Sequence, residues 1–560
     1  MSRFNRPAVK AAVFSPVTTE ANPSGRTFEG APGSARDAKS ELFLLAVSNF
    51  VSTDTFYEKA GARDERFERL VRQVAVEDPD WLGRFIPWLR GEANMRTASL
   101  VAVCEAVKAR LDAANATGNN LGAQMSVGHQ TDDHTAGGQN RKLIDAACQR
   151  ADEPGELLAY WASRYGRAIP KPVKRGVADA VARLYTGKSL LKYDTASHGY
   201  RFGDVIDLVH PTPDPGKPWQ GDVFKYALDR RHHPDAAVPP ESNRTLTANR
   251  ALLALPVAER RALLAHPDAA ERLAEAGFTW EMLAGWLQGP MDAQAWSAVI
   301  PSMGVFALVR NLRNFDDAGV SDETAEQVAA KISDPQQVAR SRMFPFRFWA
   351  AYKHTASLRW AHALEKALTA SLANVPSLPG RTLILVDRSP SMFPGYGFST
   401  PNKSDIPLAE QAALFGAALA LRAQAPTLVE FGGQSKPMPV AKGGSVLRLV
   451  EQFGRIDGTD IPSAVRRHFA GHDRVVVVTD EQTRPGYLPS NMVAYGGMRE
   501  TAVDDLVPAG VPLYMWNFAG YKYGAAPSGS GNRHTFGGLT DQAFRMIPLL
   551  EAGKSQTWPF

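Results

Sequence analysis

The chain divides in two by the spacing of its apolar positions. From Ala38 onward these recur three and four residues apart. Phe67, Leu70, Val71 and Val74 form one set, Leu100, Val103, Val107 and Leu111 a second, and Val177, Val181 and Leu184 a third. The same spacing continues through Leu273, Trp280-Leu283-Leu287, Val305-Leu308-Leu312 and Phe348-Tyr352. Such spacing gathers side chains on one helical face. No alternating pattern of comparable quality occurs before residue 380. Helices of about 10–15 residues joined by short loops predict stacked helix pairs, as in an α-solenoid. Beyond Leu378-Pro379-Gly380 the pattern changes. Short apolar runs at Leu383–Val386, Thr427–Phe431, Val475–Thr479 and Leu513–Phe518 read as buried strands. Helices are expected between them near 405–423, 445–453 and 461–470, with another near 540–552. That alternation predicts a mostly parallel sheet covered on both faces.

Two segments stand apart. Residues 1–35 are rich in Ser, Thr, Pro, Gly and Ala and read as a flexible arm. Residues 112–140 hold an excess of Asn, Gly, Thr and Gln and read as a long surface loop. Its His129, Asp132, Asp133 and His134 could ligate a metal, but loops are enriched in such residues anyway. The expected domains are therefore a helical domain over 36–375 and an α/β domain over 380–560.

Composition adds few constraints. With 560 residues, 44% apolar and 22% charged, the chain has the make-up of a globular protein of two or more domains. No apolar run nears the ~20 residues of a membrane-spanning helix, and no apolar leader opens the chain. Cys104 and Cys148 lie in no metal-ligand spacing, which fits a cytoplasmic protein. A net charge of +5 suits an anionic partner.

The charge is concentrated. Residues 161–201 carry nine Lys or Arg, among them Lys171, Lys174, Arg175, Lys188, Lys192 and Arg201, against only Asp179 and Asp194. Tyr165, Tyr185, Tyr193, Tyr200 and Phe202 are interleaved. A second stretch, 336–360, has Arg340, Arg342, Arg347, Lys353 and Arg359 with no acid, among Phe344, Phe346, Phe348, Trp349 and Tyr352. Clustered cations attract phosphates and aromatic rings can stack on unpaired bases. The competing reading is a solvated face over core aromatics. Two such stretches favour nucleic acid.

A different chemistry marks the α/β half. The run Thr382–Val386 leads into Asp387-Arg388-Ser389-Pro390-Ser391, so Asp-x-Ser-x-Ser sits where a buried strand leaves the sheet. Ligands bind at that edge of open α/β sheets. A carboxylate and two hydroxyls are hard donors suited to Mg²⁺, Mn²⁺ or Ca²⁺. Gly458-Thr459-Asp460 precedes a helix start, and Val475–Val478 runs into Thr479-Asp480. There is no second carboxylate cluster for a two-metal hydrolase and no phosphate-binding Gly-x-x-x-x-Gly-Lys-Ser/Thr loop.

These three elements, in this order, resemble the von Willebrand factor A domain. The resemblance implies a Rossmann-like fold and a divalent ion, Mg²⁺ or Mn²⁺, held by Ser389, Ser391 and Thr459, with Asp387 and Asp480 acting directly or through water. Asp457 stands where the family usually has a second Gly before the Thr. The helical half carries a second resemblance. Ala38-Lys39-Ser40-Glu41-Leu42, Phe56-Tyr57, Trp88-Leu89-Arg90, Met95-Arg96-Thr97-Ala98 and Pro170-Lys171 through Asp179 are similar to the TROVE module of the Ro ribonucleoprotein family. So are Lys192-Tyr193 through Asp207-Leu208-Val209-His210-Pro211, Val309-Arg310-Asn311-Leu312, and Arg342-Met343-Phe344-Pro345-Phe346 with Ala351-Tyr352.

That family pairs a ring-like α-solenoid of HEAT-like repeats with an A domain that closes the ring. The resemblance implies a monomeric, cytoplasmic, non-enzymatic scaffold for RNA quality control. It would bind small non-coding Y-like RNA on an outer basic surface and single-stranded 3′ ends of misfolded RNA in a central hole, with an exoribonuclease tethered through RNA. Lys171, Lys174 and Arg175 would contact phosphates. Several family members have a His on the RNA face where Phe202 stands here; its ring can stack but cannot donate a hydrogen bond. The alternative is a protein-interaction module whose metal grips an acidic partner in a chaperone or ring-ATPase assembly.

Overall fold

The structure, a computed structural model, describes residues 13–48, 51–116, 136–197, 199–355, 357–393, 395, 406–489 and 498–560. It separates into two compact units, one of residues 71–342 and 351–364, the other of residues 1–70, 343–350 and 365–560.

The first unit is built from helices, as the three-to-four spacing predicts. Asp78 caps the helix Pro79–Gly91 by accepting from Trp81 N, and Pro79 starts it where no donor is needed. Asp292, Ser321 and Asn243 cap later helices in the same way. Helix Ala136–Ala147 packs against Lys171–Leu184 and Pro79–Gly91, and Phe202–Val209 packs against Gln220–His232. Val173, Val177, Ala180 and Val181 supply the buried face of Lys171–Leu184. Gly176 allows the close approach there, since a Cβ would lie 2.6 Å from the Arg141 carbonyl oxygen. The segment read as a surface loop over 112–140 is helical at both described ends, in Arg96–Ala116 and Ala136–Ala147. His129, Asp132, Asp133 and His134 lie outside the described residues.

The second unit contains strands β1 (Gly25–Arg26), β2 (Pro32–Ala35), β3 (Leu378–Asp387), β4 (Ala423–Phe431), β5 (Ser435–Met438) and β6 (Arg474–Thr479). It continues with β7 (Gly486–Pro489), β8 (Met498–Thr501), β9 (Leu513–Asn517), β10 (Tyr523–Gly524) and β11 (Arg533–Gly537). The main sheet has the order β11-β9-β6-β3-β4-β5, parallel except for the antiparallel edge strand β5. Leu383, Leu385, Val429, Phe431, Val475 and Val477 share one buried cluster with Ile461, Ala464 and Val465 of helix Ile461–His468. The alternate positions turn to the other face, where Gly416 of helix Leu408–Arg422 lies against Val386. All four sequence-derived strands and their intervening helices are present; β5 and β11 were not foreseen.

Of the segment read as a flexible arm, residues 13–35 are described, and they are instead built into this unit. β2 pairs antiparallel with both β1 and β10. Ser15 N and Thr19 N donate to the carbonyls of Gly529 and Ser528. Helix Ala38–Ser48 belongs to the same unit: Ser48 donates to Asn517 O, and Gly520 meets the Leu45 backbone where a Cβ would come within 2.6 Å. The boundary drawn at residue 36 therefore does not match the packing. Residues 36–70 and 343–350 belong to the unit that holds the sheet.

Candidate metal centre and basic helix face

β3 and β6 are neighbours in the sheet, yet β4 follows β3 on the opposite side. The chain order thus reverses between β3 and β6, the place where open α/β sheets bind ligands at the carboxyl ends of their strands. Asp387 ends β3 and Thr479 ends β6. Thr479 Oγ1 donates to Asp387 Oδ2 at 2.6 Å, and Ser389 N donates to Asp387 Oδ1 at 2.9 Å. The hydroxyls of Ser389 and Ser391 lie 3.0 Å apart. Asp480 Oδ1 accepts from Gln482 N at 2.9 Å, while Asp480 Oδ2 is buried without a hydrogen-bond partner.

The Thr459 loop docks onto the same edge through its backbone. Ile456 N donates to Arg388 O at 3.0 Å, Gly433 N to Asp457 O at 2.6 Å, and Asp460 N to Gly432 O at 2.9 Å. Gly458 adopts φ +73°, a left-handed turn that glycine reaches without strain. Thr459 is buried and Asp457 is exposed. The five expected ligands therefore come from three loops at one sheet edge. Thr479 is an additional member of the site. Its signal is in the sequence, since a hydroxyl at the last position of a buried strand can reach the carboxylate that ends the neighbouring strand.

The electrostatics favour a cation. Burial raises the Asp387 carboxyl against the pull of the Ser389 and Thr479 hydroxyls. Burial, and then the nearby Asp387, push Asp480 up to about 8. Two buried carboxylates that repel each other, one with an orphaned oxygen, are costly unless an ion compensates them. The donor set of carboxylate and hydroxyl oxygens fits a hard divalent ion. No group of three or more His, Cys, Asp or Glu occurs among the described residues, so a metal here would rely on hydroxyls. Arg388, between the ligands in sequence, turns away. Its guanidinium donates to Gly454 O at 2.6 Å and to Ala409 O, and its charge lies over Phe393 and Phe453.

The basic stretches are sorted less evenly. On helix Lys171–Leu184, Lys171 and Arg175 are exposed and Lys174 is half-buried, and none of the three has an ion-pair partner among the described residues. Lys188 and Lys192 are exposed on and beside the next turn, and Lys192 lies over Tyr193. Arg201 differs, since it is paired with Asp194 at 2.9 Å. Phe202 is corrected outright. It is buried and stacks on buried Tyr185 with ring centroids 3.7 Å apart, so its ring is core. The aromatics of the second stretch are core as well: Phe344, Phe346, Phe348 and Trp349 are all buried. Arg340 and Arg342 are exposed, and Arg342 reaches Gln149 at 3.3 Å. Its carbonyl accepts from Asn94 beside a buried hub in which Arg90 and Arg96 both pair with Glu153.

The TROVE domain matches residues 275–358. Among solved structures, the Ro (RSR) protein of Deinococcus radiodurans is similar over 92% of this chain and 100% of its own, with a TM-score of 0.56 at 16% identity. Residues 275–358 are thus similar to the TROVE domain, and the chain shares the fold of that Ro protein. The TROVE segment includes Arg340 and Arg342, and it agrees with the resemblance drawn from Val309-Arg310-Asn311-Leu312 and Arg342–Phe346. No curated protein matches the chain. No helix among the described residues is long and apolar enough to cross a membrane.

Proposed function

We propose that this is an RNA-binding scaffold of the Ro type that performs no catalysis. The observation that carries the reading is the set of exposed Lys171 and Arg175 and half-buried Lys174 on one helix, with no ion-pair partner among the described residues, in a chain with a TROVE match. Unpaired cations on a rigid helix neutralise phosphates without first breaking internal salt bridges. The preferred RNA is small and structured, of the Y-like non-coding kind, and misfolded RNA with a single-stranded 3′ end is the second ligand. Because Tyr185, Phe202, Phe344, Phe346, Phe348 and Trp349 are core, stacking is left to half-buried rings such as Tyr193, and affinity rests first on phosphate contacts. RNA held this way in the cytoplasm could also tether an exoribonuclease.

The Asp387, Ser389, Ser391, Thr459 and Asp480 set would hold Mg²⁺ or Mn²⁺. The ion would supply an open position for a carboxylate or phosphate oxygen of a partner. Within the site, Thr479 orients the Asp387 carboxylate, and the Gln482 N–H holds one oxygen of Asp480.

The test is RNA binding by fluorescence anisotropy against a hairpin with a single-stranded tail, over a salt series. Replacing Lys171, Lys174 and Arg175 together with Gln should flatten the plot of log affinity against log salt by about 2–3, at about 0.7–0.9 per lost phosphate contact. An unchanged slope removes that helix from the interface. Failure of the wild-type protein to bind at low salt overturns the reading.

A further inference from the structure

The loop that carries Asp480 is held from behind by the chain's own N-terminal segment. Thr27 Oγ1 donates to Thr483 O at 2.8 Å, and Ala31 N donates to the same carbonyl at 3.3 Å. Phe28 N donates to Gln482 Oε1 at 2.8 Å. Arg36 Nη2 pairs with Glu481 Oε1 at 2.7 Å, with both side chains fully buried, and the other Arg36 terminal nitrogen donates to Tyr521 O. Glu29 lies 3.5 Å from Arg484. Each of residues 481–484 is thus touched by the segment 27–36.

The same four residues are tied on their other side to the metal loops. Gln482 N donates to Asp480 Oδ1, and Glu481 N donates to Thr479 Oγ1, which itself holds Asp387. Thr483 Oγ1 accepts from Ile461 N at 2.9 Å and donates to Thr459 O at 3.4 Å, and Arg484 N donates to that carbonyl at 3.0 Å. Glu481 also adopts φ +62°, a left-handed conformation that a non-glycine residue keeps only when its surroundings impose it. Arg36, Asn517 and Ala525 all hold its carboxylate. Replacing water around a buried glutamate with these donors fixes the loop in a single arrangement.

We propose that residues 24–36 form a strap that positions the metal loop, so that strap order and divalent-ion binding are energetically coupled. Thr27, Phe28 and Arg36 are its positioning residues, and none is a ligand. The inference rests on the metal-site reading above. Linkage makes the coupling reciprocal: an ordered strap tightens ion binding, and a bound ion must slow opening of the strap.

Hydrogen exchange on the full chain, with and without saturating Mn²⁺, tests it alongside isothermal titration of Mn²⁺. The expected result is slower exchange in peptides covering 24–36 as well as 480–484. Thr27→Val should weaken Mn²⁺ binding about fivefold or more, within the usual range of coupling between sites. A melting curve in chelator verifies that the variant folds; if it does not, the wild-type exchange data decide alone. Protection confined to 480–484, with unaltered affinity in a folded Thr27→Val, overturns the strap while leaving the metal site in place. Absence of Mn²⁺ binding to the wild type overturns both.

Discussion

At the scale of single residues, the buried polar groups of the second unit decide most of its chemistry, and His534 shows how. It lies in β11 with Nδ1 2.9 Å from Ser15 Oγ and its ring against Tyr514. Burial, helped by neighbouring Arg533, pushes its imidazole down to about 4. The unfolded chain protonates this group near pH 6.5, so between 6.5 and 4 the unfolded state binds the extra proton. Stability from a neutral His534 is therefore complete above about pH 6.5 and is lost as pH falls through 4, by about 3 kcal/mol in all. Urea midpoints at pH 7.5, 5.5 and 4.5 should fall more steeply for the wild type than for His534→Asn. Parallel curves would show that His534 is not the group titrating. His468 and His472 are shifted the same way by burial, so the wild-type-minus-variant difference is the quantity to read.

Elements were legible in the sequence where one kind of contact dominated them. Val475–Val478 is buried on both faces, and a continuous apolar run announces it. β11 is buried just as completely, but it carries the polar run Arg533-His534-Thr535, whose Arg533 and His534 side chains are satisfied by Asp504 and Ser15 far along the chain, so no apolar signal remains. β1 and β2 are two and four residues of Gly, Arg, Pro, Ser and Ala, too short and too small-sided to show alternation. The candidate metal loops were visible as a set because hydroxyl and carboxylate spacing is local. The basic face proposed for RNA was only half readable. Cations on a helix are visible in sequence, whereas the direction of an aromatic ring depends on a distant helix, as Phe202 and Tyr185 show. This gives a prediction at the level of the helix Phe202–Val209. Phe202→Ala should cost about 3–5 kcal/mol as a cavity in the core. Phe202→Leu should fold and bind RNA within about twofold of wild type. A loss of tenfold or more, the size of one lost base stack, would return the ring to the RNA face.

For the molecule as a whole, the unit that carries the candidate metal site is discontinuous in sequence, drawing on residues 1–70, 343–350 and 365–560. A fragment cut just after the helical domain expected from sequence, residues 376–560, would keep the six-stranded sheet and all five candidate ligands. It would lose Arg36, leaving the fully buried Glu481 carboxylate without its cation, and such an uncompensated charge costs several kcal/mol. It would also lose helix Ala38–Ser48, whose Leu44, Leu45 and Val47 are buried, together with Ser48 on Asn517 and the Arg63 hydrogen bond to Ala519 O. These losses are comparable with the roughly 5–15 kcal/mol that stabilises an ordinary domain. The fragment is therefore expected to show exposed apolar surface and no cooperative melting. Co-expression with residues 13–70 should restore a cooperative transition, because those residues return the ion pair and the apolar helix together. Arg36→Met in the supplied segment should restore less than the native segment does. If 376–560 alone melts cooperatively, the N-terminal residues are an ornament on a self-sufficient domain. Restoration by the Arg36→Met segment as complete as by the native one would assign the rescue to helix burial and not to the buried ion pair.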